Sequence, residues 1–356
     1  YFRIAYGTVL TLAPGTVLGF DPYSQFEVTG GLIAEGTAGQ PITFTSALSI
    51  PHAGDWQQIY VWDIARLRLG HCVVAYAGVS NYAAIELRGS DAALHDCRIR
   101  DSLGTGILIN GNIHPTLEAI TVTGSGGYAI WQAPGASAGY RSLSLSGNGR
   151  DAIGTSGNTG ADATWDTALA GADIEVEGFA RVWGGTTLTL TPGTAVRFRA
   201  DALFELTGGL IAEGTPGQPI TFTSALTAPG PGAWQQFYVW PGSRLRMSNC
   251  LVRYAGAGGD AALELRGNDA ILRDCRISDS AQTGILVYGA IHPTLDRITV
   301  TNSGGYAIWQ SPMASPNYGR LTLTGNGTNA IGTNGNADAD ATWDLSQAGA
   351  WLQVDA

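Results

Sequence analysis

Lysine is absent from this chain of 356 residues, whose 19 basic residues are all arginine and are outnumbered by 29 acidic ones. Binding to a phosphate backbone requires clustered positive charge, and a net charge of −10 repels nucleic acid and anionic lipid. We therefore expect no nucleic-acid partner. No apolar run approaches the roughly 18 residues that a membrane span requires, so we expect no membrane insertion. The lack of lysine itself fits a GC-rich genome and identifies no reaction.

A helical pattern is missing as well. No stretch keeps apolar residues at a 3.6-residue spacing for three turns, and glycine, asparagine, threonine and β-branched residues are frequent. The 50 glycines follow no Gly-X-Y period, which excludes collagen. A content of 44% hydrophobic and only 13% charged residues is typical of a folded protein. Together these features favour many short strands joined by turns.

The chain consists of two copies of one module. Its first half aligns with its second half without any insertion or deletion, and aligned positions usually carry the same residue, as Trp56 and Trp234 do. A long fixed period is the signature of an array architecture. We therefore predict two tandem modules, residues 1–178 and 179–356.

A shorter period lies inside each module. In the segment 84–89, Ile85 and Leu87 alternate with Glu86 and Arg88, so that one side of the strand is apolar. Similar segments recur roughly every 25 residues, a period typical of solenoids. We predict an all-β fold, a parallel β-helix with about seven coils per module and both modules in one continuous solenoid. Its strands would stack in parallel about 4.8 Å apart around an apolar core.

Several segments of the sequence resemble a known family. Residues 8–17 (TVLTLAPGTV) and 31–46 (GLIAEGTAGQPITFTS) recur almost unchanged at 186–195 and 209–224. They resemble the extracellular right-handed parallel β-helix repeat proteins of bacteria, which share the pectate-lyase-like superfold. The resemblance implies a right-handed coil and an extracellular or cell-surface location. It implies no single function, because this superfold hosts lyases, hydrolases, adhesins and inert shafts.

Aromatic residues recur at outward positions. If Ile59 and Val61 face the core, then Tyr60 and Trp62 face out. Outward aromatics can stack on sugar rings or dock against a neighbouring chain, although a flanking loop could also cover them. The predicted binding or assembly residues are Tyr60, Trp62, Trp131, Tyr238, Trp240, Tyr288 and Trp309.

The four cysteines form two pairs with the spacing of one coil. Cys72 and Cys97 lie one coil apart in the sequence, as do Cys250 and Cys275. Stacked on neighbouring turns, each pair lies within disulfide range, so two bridges are possible in an oxidising compartment; the alternative is buried thiols. We expect no metal site here, because no histidine or third cysteine shares the spacing.

Catalytic constellations are hard to find. The clustered acids of a pectate lyase and the paired aspartates with Gly-His-Gly of a polygalacturonase are both missing. Glu86 with Arg88, and Glu264 with Arg266, are interpreted as solvated ion pairs worth under roughly 1 kcal/mol. His114 and its partner in the second copy precede proline, which predicts a structural corner. We therefore expect no enzyme and no cofactor.

The leading functional hypothesis is a structural one. The residues before Phe179 correspond to the end of the chain, and Tyr1 takes the place of Phe179, so copies could stack end to end with Ala356 against Tyr1. This predicts a repeat unit of an extracellular filament, stalk or surface shaft whose partners are copies of itself. The alternative is a surface adhesin or carbohydrate-binding β-helix with surface glycans as partners. A polysaccharide lyase or hydrolase remains only by fold analogy.

Overall fold

The computed structural model describes residues 1–355, so the predicted contact through Ala356 lies outside the described residues. The chain divides into two compact units. The first comprises Tyr1–Thr155 and Thr164–Ile174; the second comprises Ser156–Ala163 and the residues from Glu175 onward. The predicted all-β, parallel β-helical class is confirmed, since the named strands pair in parallel with strands of neighbouring turns.

The first unit is a stack of turns with three strands each, which form three parallel sheets named A, B and C. Six of its turns contain all three strands among the residues described. Sheet A contains β1 (Phe2–Ile4), β4 (Phe26–Val28), β7 (Ile59–Val61), β10 (Ile85–Leu87), β13 (Ile107–Ile109), β16 (Tyr128–Gln132) and β19 (Arg150–Asn158). Sheet B contains β2 (Val9–Leu12), β5 (Gly31–Glu35), β8 (Arg66–Gly70), β11 (Ala92–His95), β14 (Thr116–Glu118) and β17 (Gly139–Arg141). Sheet C contains β3 (Val17–Phe20), β6 (Ile42–Ser46), β9 (Cys72–Ala75), β12 (Arg98–Arg100), β15 (Thr121–Thr123) and β18 (Ser144–Ser146), and β20 (Ala163–Trp165) follows.

The second unit repeats this arrangement, with one more A strand and no counterpart of β20 among the described residues. Its A strands are β21 (Ile174–Val182), β24 (Leu203–Leu206), β27 (Phe237–Val239), β30 (Leu263–Leu265), β33 (Ile285–Val287), β36 (Tyr306–Gln310), β39 (Thr328–Thr333) and β40 (Leu352–Val354). Its B strands are β22 (Thr187–Leu190), β25 (Gly209–Glu213), β28 (Arg244–Ser248), β31 (Asp269–Arg273), β34 (Thr294–Asp296) and β37 (Asn317–Tyr318). Its C strands are β23 (Ala195–Phe198), β26 (Ile220–Ser224), β29 (Cys250–Arg253), β32 (Arg276–Ser278), β35 (Ile298–Thr301) and β38 (Leu321–Thr324).

Helix is almost absent from the described part of the chain. It contains only two 3₁₀ turns, Val79–Asn81 and Ala257–Gly259, of three residues each. Neither approaches the length or the apolar character that a membrane-crossing helix needs.

Aliphatic ladders hold the turns together. Ile59, Ile85 and Ile107 pair in register along sheet A, and each is fully buried. Full burial of one such side chain contributes about 1.5–3 kcal/mol, so every added turn extends the core by several stabilising residues. Alternation then directs the next residue of each strand outward, which is how sheet A presents its functional candidates.

A tryptophan fills the core beneath the long loop in each unit. Trp56 stacks on Phe20 with ring centroids 4.3 Å apart, and its Nε1 donates to Ala75 O at 2.8 Å. Trp234 stacks on Phe198 at 4.1 Å and has the same kind of backbone hydrogen bond. These buried rings dominate the packing of their turns.

The corners between sheets B and C use a left-handed backbone. His71, Asp96 and Ala119 occupy successive corners of the first unit with φ of 47°, 53° and 52°. Positive φ is uncommon outside glycine and turns the chain sharply. Since corners stack as strands do, side chains from neighbouring turns meet there. The corresponding corners of the second unit hold Asn249, Asp274 and Arg297.

Candidate functional site

The outward column of sheet A in the first unit combines acids with aromatics. Glu27 pairs in register with Tyr60, and Tyr60 with Glu86. The next two turns contribute Leu108 and Trp131. We call this column, together with the residues two positions further along each strand, the acid–aromatic ladder.

The same ladder recurs in the second unit. Glu205, Tyr238 and Glu264 pair in register there, followed by Leu286 and Trp309. Of the three flanking positions beside Tyr60, Glu86 and Leu108 and their counterparts, only the last differs between the units. They are Trp62, Arg88 and Asn110 in the first unit and Trp240, Arg266 and Tyr288 in the second.

Hydrogen bonds fix the ladder of the first unit. Trp62 Nε1 donates to Glu27 Oε1 at 2.7 Å. Arg88 Nε donates to Glu86 Oε1 at 2.8 Å, and the guanidinium lies 5.3 Å from the centre of the Tyr60 ring. The rings of Tyr60 and Trp62 are therefore each held by a polar neighbour.

The second unit uses the same contacts with one substitution. Trp240 Nε1 donates to Glu205 Oε1 at 3.1 Å. The Arg266 guanidinium lies 5.4 Å from the Tyr238 ring and 4.1 Å from the Tyr288 ring. Arginine is thus sandwiched between two rings where the first unit offers one ring and an amide.

The acids of the ladder are buried, which corrects the interpretation of Glu86 and Glu264 as members of solvated ion pairs. Each is only 5% exposed. Side chains from neighbouring turns cover them, as Asn110 Nδ2 does when it donates to Glu86 Oε1 at 3.1 Å. Strand alternation predicts the outward direction of these acids but not the cover that adjacent turns supply.

Glu27 was missed by the sequence-based reasoning, although it takes the same outward position one strand earlier. Burial raises the pKa of its carboxyl, but hydrogen bonds from Tyr1 and Trp62 and the charge of Arg3 outweigh that effect, so the pKa lies below its ordinary value. Glu27 is therefore a fixed, charged acceptor beside an exposed ring.

The predicted aromatic residues lie on this surface with different exposures. Trp62, Trp240 and Tyr288 are 37%, 41% and 47% exposed. The others are half-buried: Tyr60, Trp131, Tyr238 and Trp309. The ladder therefore offers ring faces and edges at several successive turns of each unit.

A glycine makes room for the ring of Trp131. Gly154 pairs with it in register, and a Cβ at that glycine would come 2.5 Å from Trp131 Cε3. Any larger residue would push the indole away from the sheet. Trp131 also makes an edge contact with Tyr128, with centroids 5.0 Å apart.

A cavity of about 350 Å³ and one of about 430 Å³ lie in the first unit. The larger one adjoins Trp62, with Arg3 and Asp63 as charged lining residues and the exposed Ile64 beside them. Apolar walls with a few polar groups suit a small ligand or one unit of a polymer.

The cysteines stack as the spacing predicts and are buried free thiols in the structure. Cys72 Sγ donates to Ala34 O at 3.1 Å, and Cys97 Sγ donates to His95 O at 3.2 Å. The hydrogen bond with Cys97, together with burial, raises the pKa of Cys72 well above its ordinary value, so this thiol stays protonated. Disulfides between Cys72 and Cys97, and between Cys250 and Cys275, stay predictions for oxidising conditions.

Comparison with known proteins yields one structural likeness. No protein-family model and no curated protein matches the chain. A solved structure, the catalytic domain of a GH87 α-1,3-glucanase variant in complex with tetrasaccharides, is 12% identical with a TM-score of 0.31. The match covers 89% of this chain and 64% of that domain, so the chain spans less than two thirds of its length.

This likeness contradicts the prediction that the chain is not an enzyme, because the matching structure is a catalytic domain. At this identity the likeness concerns the fold alone and assigns no activity to the chain.

Proposed function

We propose that the protein binds a carbohydrate polymer along the acid–aromatic ladder of sheet A, outside the cell or at its surface. The observation that carries this proposal is the ladder itself, which occurs in both units with buried acids holding exposed indoles. Sugar rings stack on aromatic faces, while carboxylate and guanidinium groups accept and donate hydrogen bonds to their hydroxyls. The resemblance to extracellular β-helix proteins supports the location.

Spacing also supports a polymer ligand. Neighbouring strands of a sheet lie about 4.8 Å apart, so the ladder presents groups at regular intervals along each unit. The cavity beside Trp62 adds one recessed position in the first unit. A repeated surface of this kind suits a repeated ligand.

The test is retention of the protein on a panel of insoluble polysaccharides. Trp62→Ala combined with Trp240→Ala removes two exposed rings, and each lost stacking contact should weaken binding by about 2- to 13-fold, equivalent to about 0.5–1.5 kcal/mol. Trp351→Ala is the matched control, because Trp351 is 60% exposed and lies outside the ladder. Release of reducing ends is measured in the same samples.

Two outcomes would contradict the proposal. One is full retention by the double variant with loss of retention by Trp351→Ala. The other is no retention of the unaltered protein on any polysaccharide. Circular dichroism of each variant shows whether the strands are intact.

End-to-end stacking of copies into a filament, stalk or shaft is the second candidate. The observation in its favour is a junction inside the second unit, where the end of one repeat meets the start of the next. Trp183 N donates to Thr159 Oγ1 at 2.9 Å, and Arg199 Nη1 pairs with Glu177 Oε1 at 2.8 Å. A copy stacked in the same way would use corresponding contacts.

The residues that two stacked copies would bring together fit less well than those of the junction, which makes stacking the second candidate. One period away, Thr159 corresponds to Ala337, Glu177 to Asp355 and Arg199 to Asp21. Stacked copies would lose the hydroxyl and place two aspartates where the junction has an ion pair. Sedimentation velocity at rising concentration and electron microscopy test this candidate, and short monodisperse particles would exclude it.

A further inference from the structure

The corner between sheets B and C in the first unit collects metal-ligating side chains. Glu35 and His95 both pair in register with Gly70, one from each side. Because Gly70 has no side chain, His95 Nε2 and Glu35 Oε2 meet above it at 2.9 Å. A Cβ at Gly70 would collide with both groups.

Two further side chains join them from the left-handed corners. Asp96 Oδ2 lies 3.1 Å from His95 Nδ1 and 3.9 Å from His71 Nε2. One candidate ligand atom from each of these three residues lies within 4.8 Å of the other two. Zinc bonds of about 2.0–2.1 Å in a tetrahedron place ligand atoms about 3.3 Å apart, so small side-chain movements suffice.

We propose that His71, His95 and Asp96 bind a divalent transition metal ion of the zinc type. Imidazole nitrogen with one carboxylate oxygen is a donor set that favours zinc, copper or nickel over calcium or magnesium. Glu35 takes the supporting role, since it accepts the Nε2 hydrogen of His95 and leaves Nδ1 for the metal. With three protein ligands, one tetrahedral position stays available to an exogenous ligand.

The surroundings allow an ion to enter and favour positive charge. The side chains of His71, His95 and Asp96 are 33%, 42% and 49% exposed. The cavity of about 350 Å³ adjoins His71 and Asp96, and its lining also includes Arg98, Ala119 and Thr121. The carboxylates of Glu35 and Asp96, both in contact with His95, supply the negative charge that attracts a cation.

The second unit has a built-in cation at this corner. Asp274 corresponds to Asp96, and Arg297 Nε and Nη2 donate to its two oxygens at 2.6 and 2.8 Å. Arg297 takes the place of Ala119, so Asp96 lacks the arginine that binds its counterpart, and the one arginine lining the cavity is Arg98. The positions of His71 and His95 hold Asn249 and Arg273.

The experiment measures zinc binding to the full chain by isothermal titration calorimetry, with calcium as a second ion. We expect one zinc per chain and no calcium. His71→Asn with His95→Arg, which installs the residues of the second unit, should abolish binding. Ala119→Arg should also abolish it while leaving every ligand in place. Glu35→Gln should weaken it by about 10- to 100-fold.

The reverse graft sharpens the test. Ser248→Gly, Asn249→His, Arg273→His and Arg297→Ala together should add a second zinc per chain, because Ser248 stands where the first unit has Gly70. His114→Asn is a control that changes nothing. Retention of zinc by the folded His71→Asn, His95→Arg variant would overturn the proposal, as would the absence of zinc binding by the unaltered protein. Thiolate charge-transfer bands in a cobalt-substituted sample would assign the metal to the cysteines and overturn it too.

Discussion

The two units carry the same ladder on sheet A but different chemistry at the corner between sheets B and C. On sheet A, Tyr60 and Tyr238 each lie between two buried acids in register. At the corner, Asp96 faces two histidines, whereas Asp274 is bound by Arg297. Under our proposals, carbohydrate binding on sheet A would therefore occur in both units, and metal binding at the corner in the first unit only. Each unit also serves as a natural control for the other.

The largest expected effect concerns the core, where the two units should behave alike. Trp56→Ala and Trp234→Ala each remove a fully buried indole stacked on a phenylalanine. Each should lower the free energy of unfolding by about 3–5 kcal/mol. Urea unfolding followed by circular dichroism measures both, with Trp351→Ala as a surface control. If one variant loses about 3–5 kcal/mol of unfolding free energy and the other does not, the two cores are not equivalent.

Removing a buried acid should destabilise the first unit's ladder more than the second unit's. Glu86 accepts hydrogen bonds from Arg88 and Asn110, whereas Tyr288 replaces that amide in the second unit. Glu86→Ala leaves its partners without an acceptor and should cost about 1–3 kcal/mol of unfolding free energy, more than Glu264→Ala. Urea unfolding of the two variants provides the comparison. A larger loss in Glu264→Ala would show that the tyrosine contact depends on the acid.

Much of this fold could be predicted from local patterns. Alternation around Ile85 and the recurrence of similar segments predict strands, their inward faces and their stacking, because both depend on residues close in sequence. The outward direction of Tyr60 follows from the same rule. The burial of Glu86 does not, because its cover comes from Asn110 one turn later.

The meeting of side chains at the corner of His71, His95 and Asp96 could not be predicted from the sequence for a similar reason. Glu35 and His95 are distant in sequence and meet only because Gly70 separates them without a side chain. Its one visible signal was a difference between the copies, since the second copy has no histidine at the positions that correspond to His71 and His95.

The repeat junction offers a smaller test. Thr159 is buried, and its hydroxyl lies 2.5 Å from Thr186 Oγ1. Thr159→Ala installs the residue found at position 337 and should cost about 0.5–1.5 kcal/mol of unfolding free energy. Urea unfolding measures it, with Thr164→Ala, an exposed threonine, as the control. An unchanged value would mean that the hydroxyl adds nothing to the junction, and the loss of that hydroxyl in stacked copies would no longer count against stacking.

The smallest effect concerns the charge at the altered corner. Hydrogen bonds from Arg297 hold the pKa of the Asp274 carboxyl below its ordinary value. A depressed carboxyl pKa stabilises the fold above the unfolded pKa of about 3.9 and loses that contribution as pH falls through the folded pKa. Arg297→Ala should therefore raise the pKa of Asp274, observed by carbon NMR, and the stabilities of variant and parent should converge in acid. Asp269 is the internal control, because Arg246 and Arg244 keep its pKa low in both proteins. An unmoved Asp274 would show that the arginine is not the cation that distinguishes this corner from its histidine counterpart.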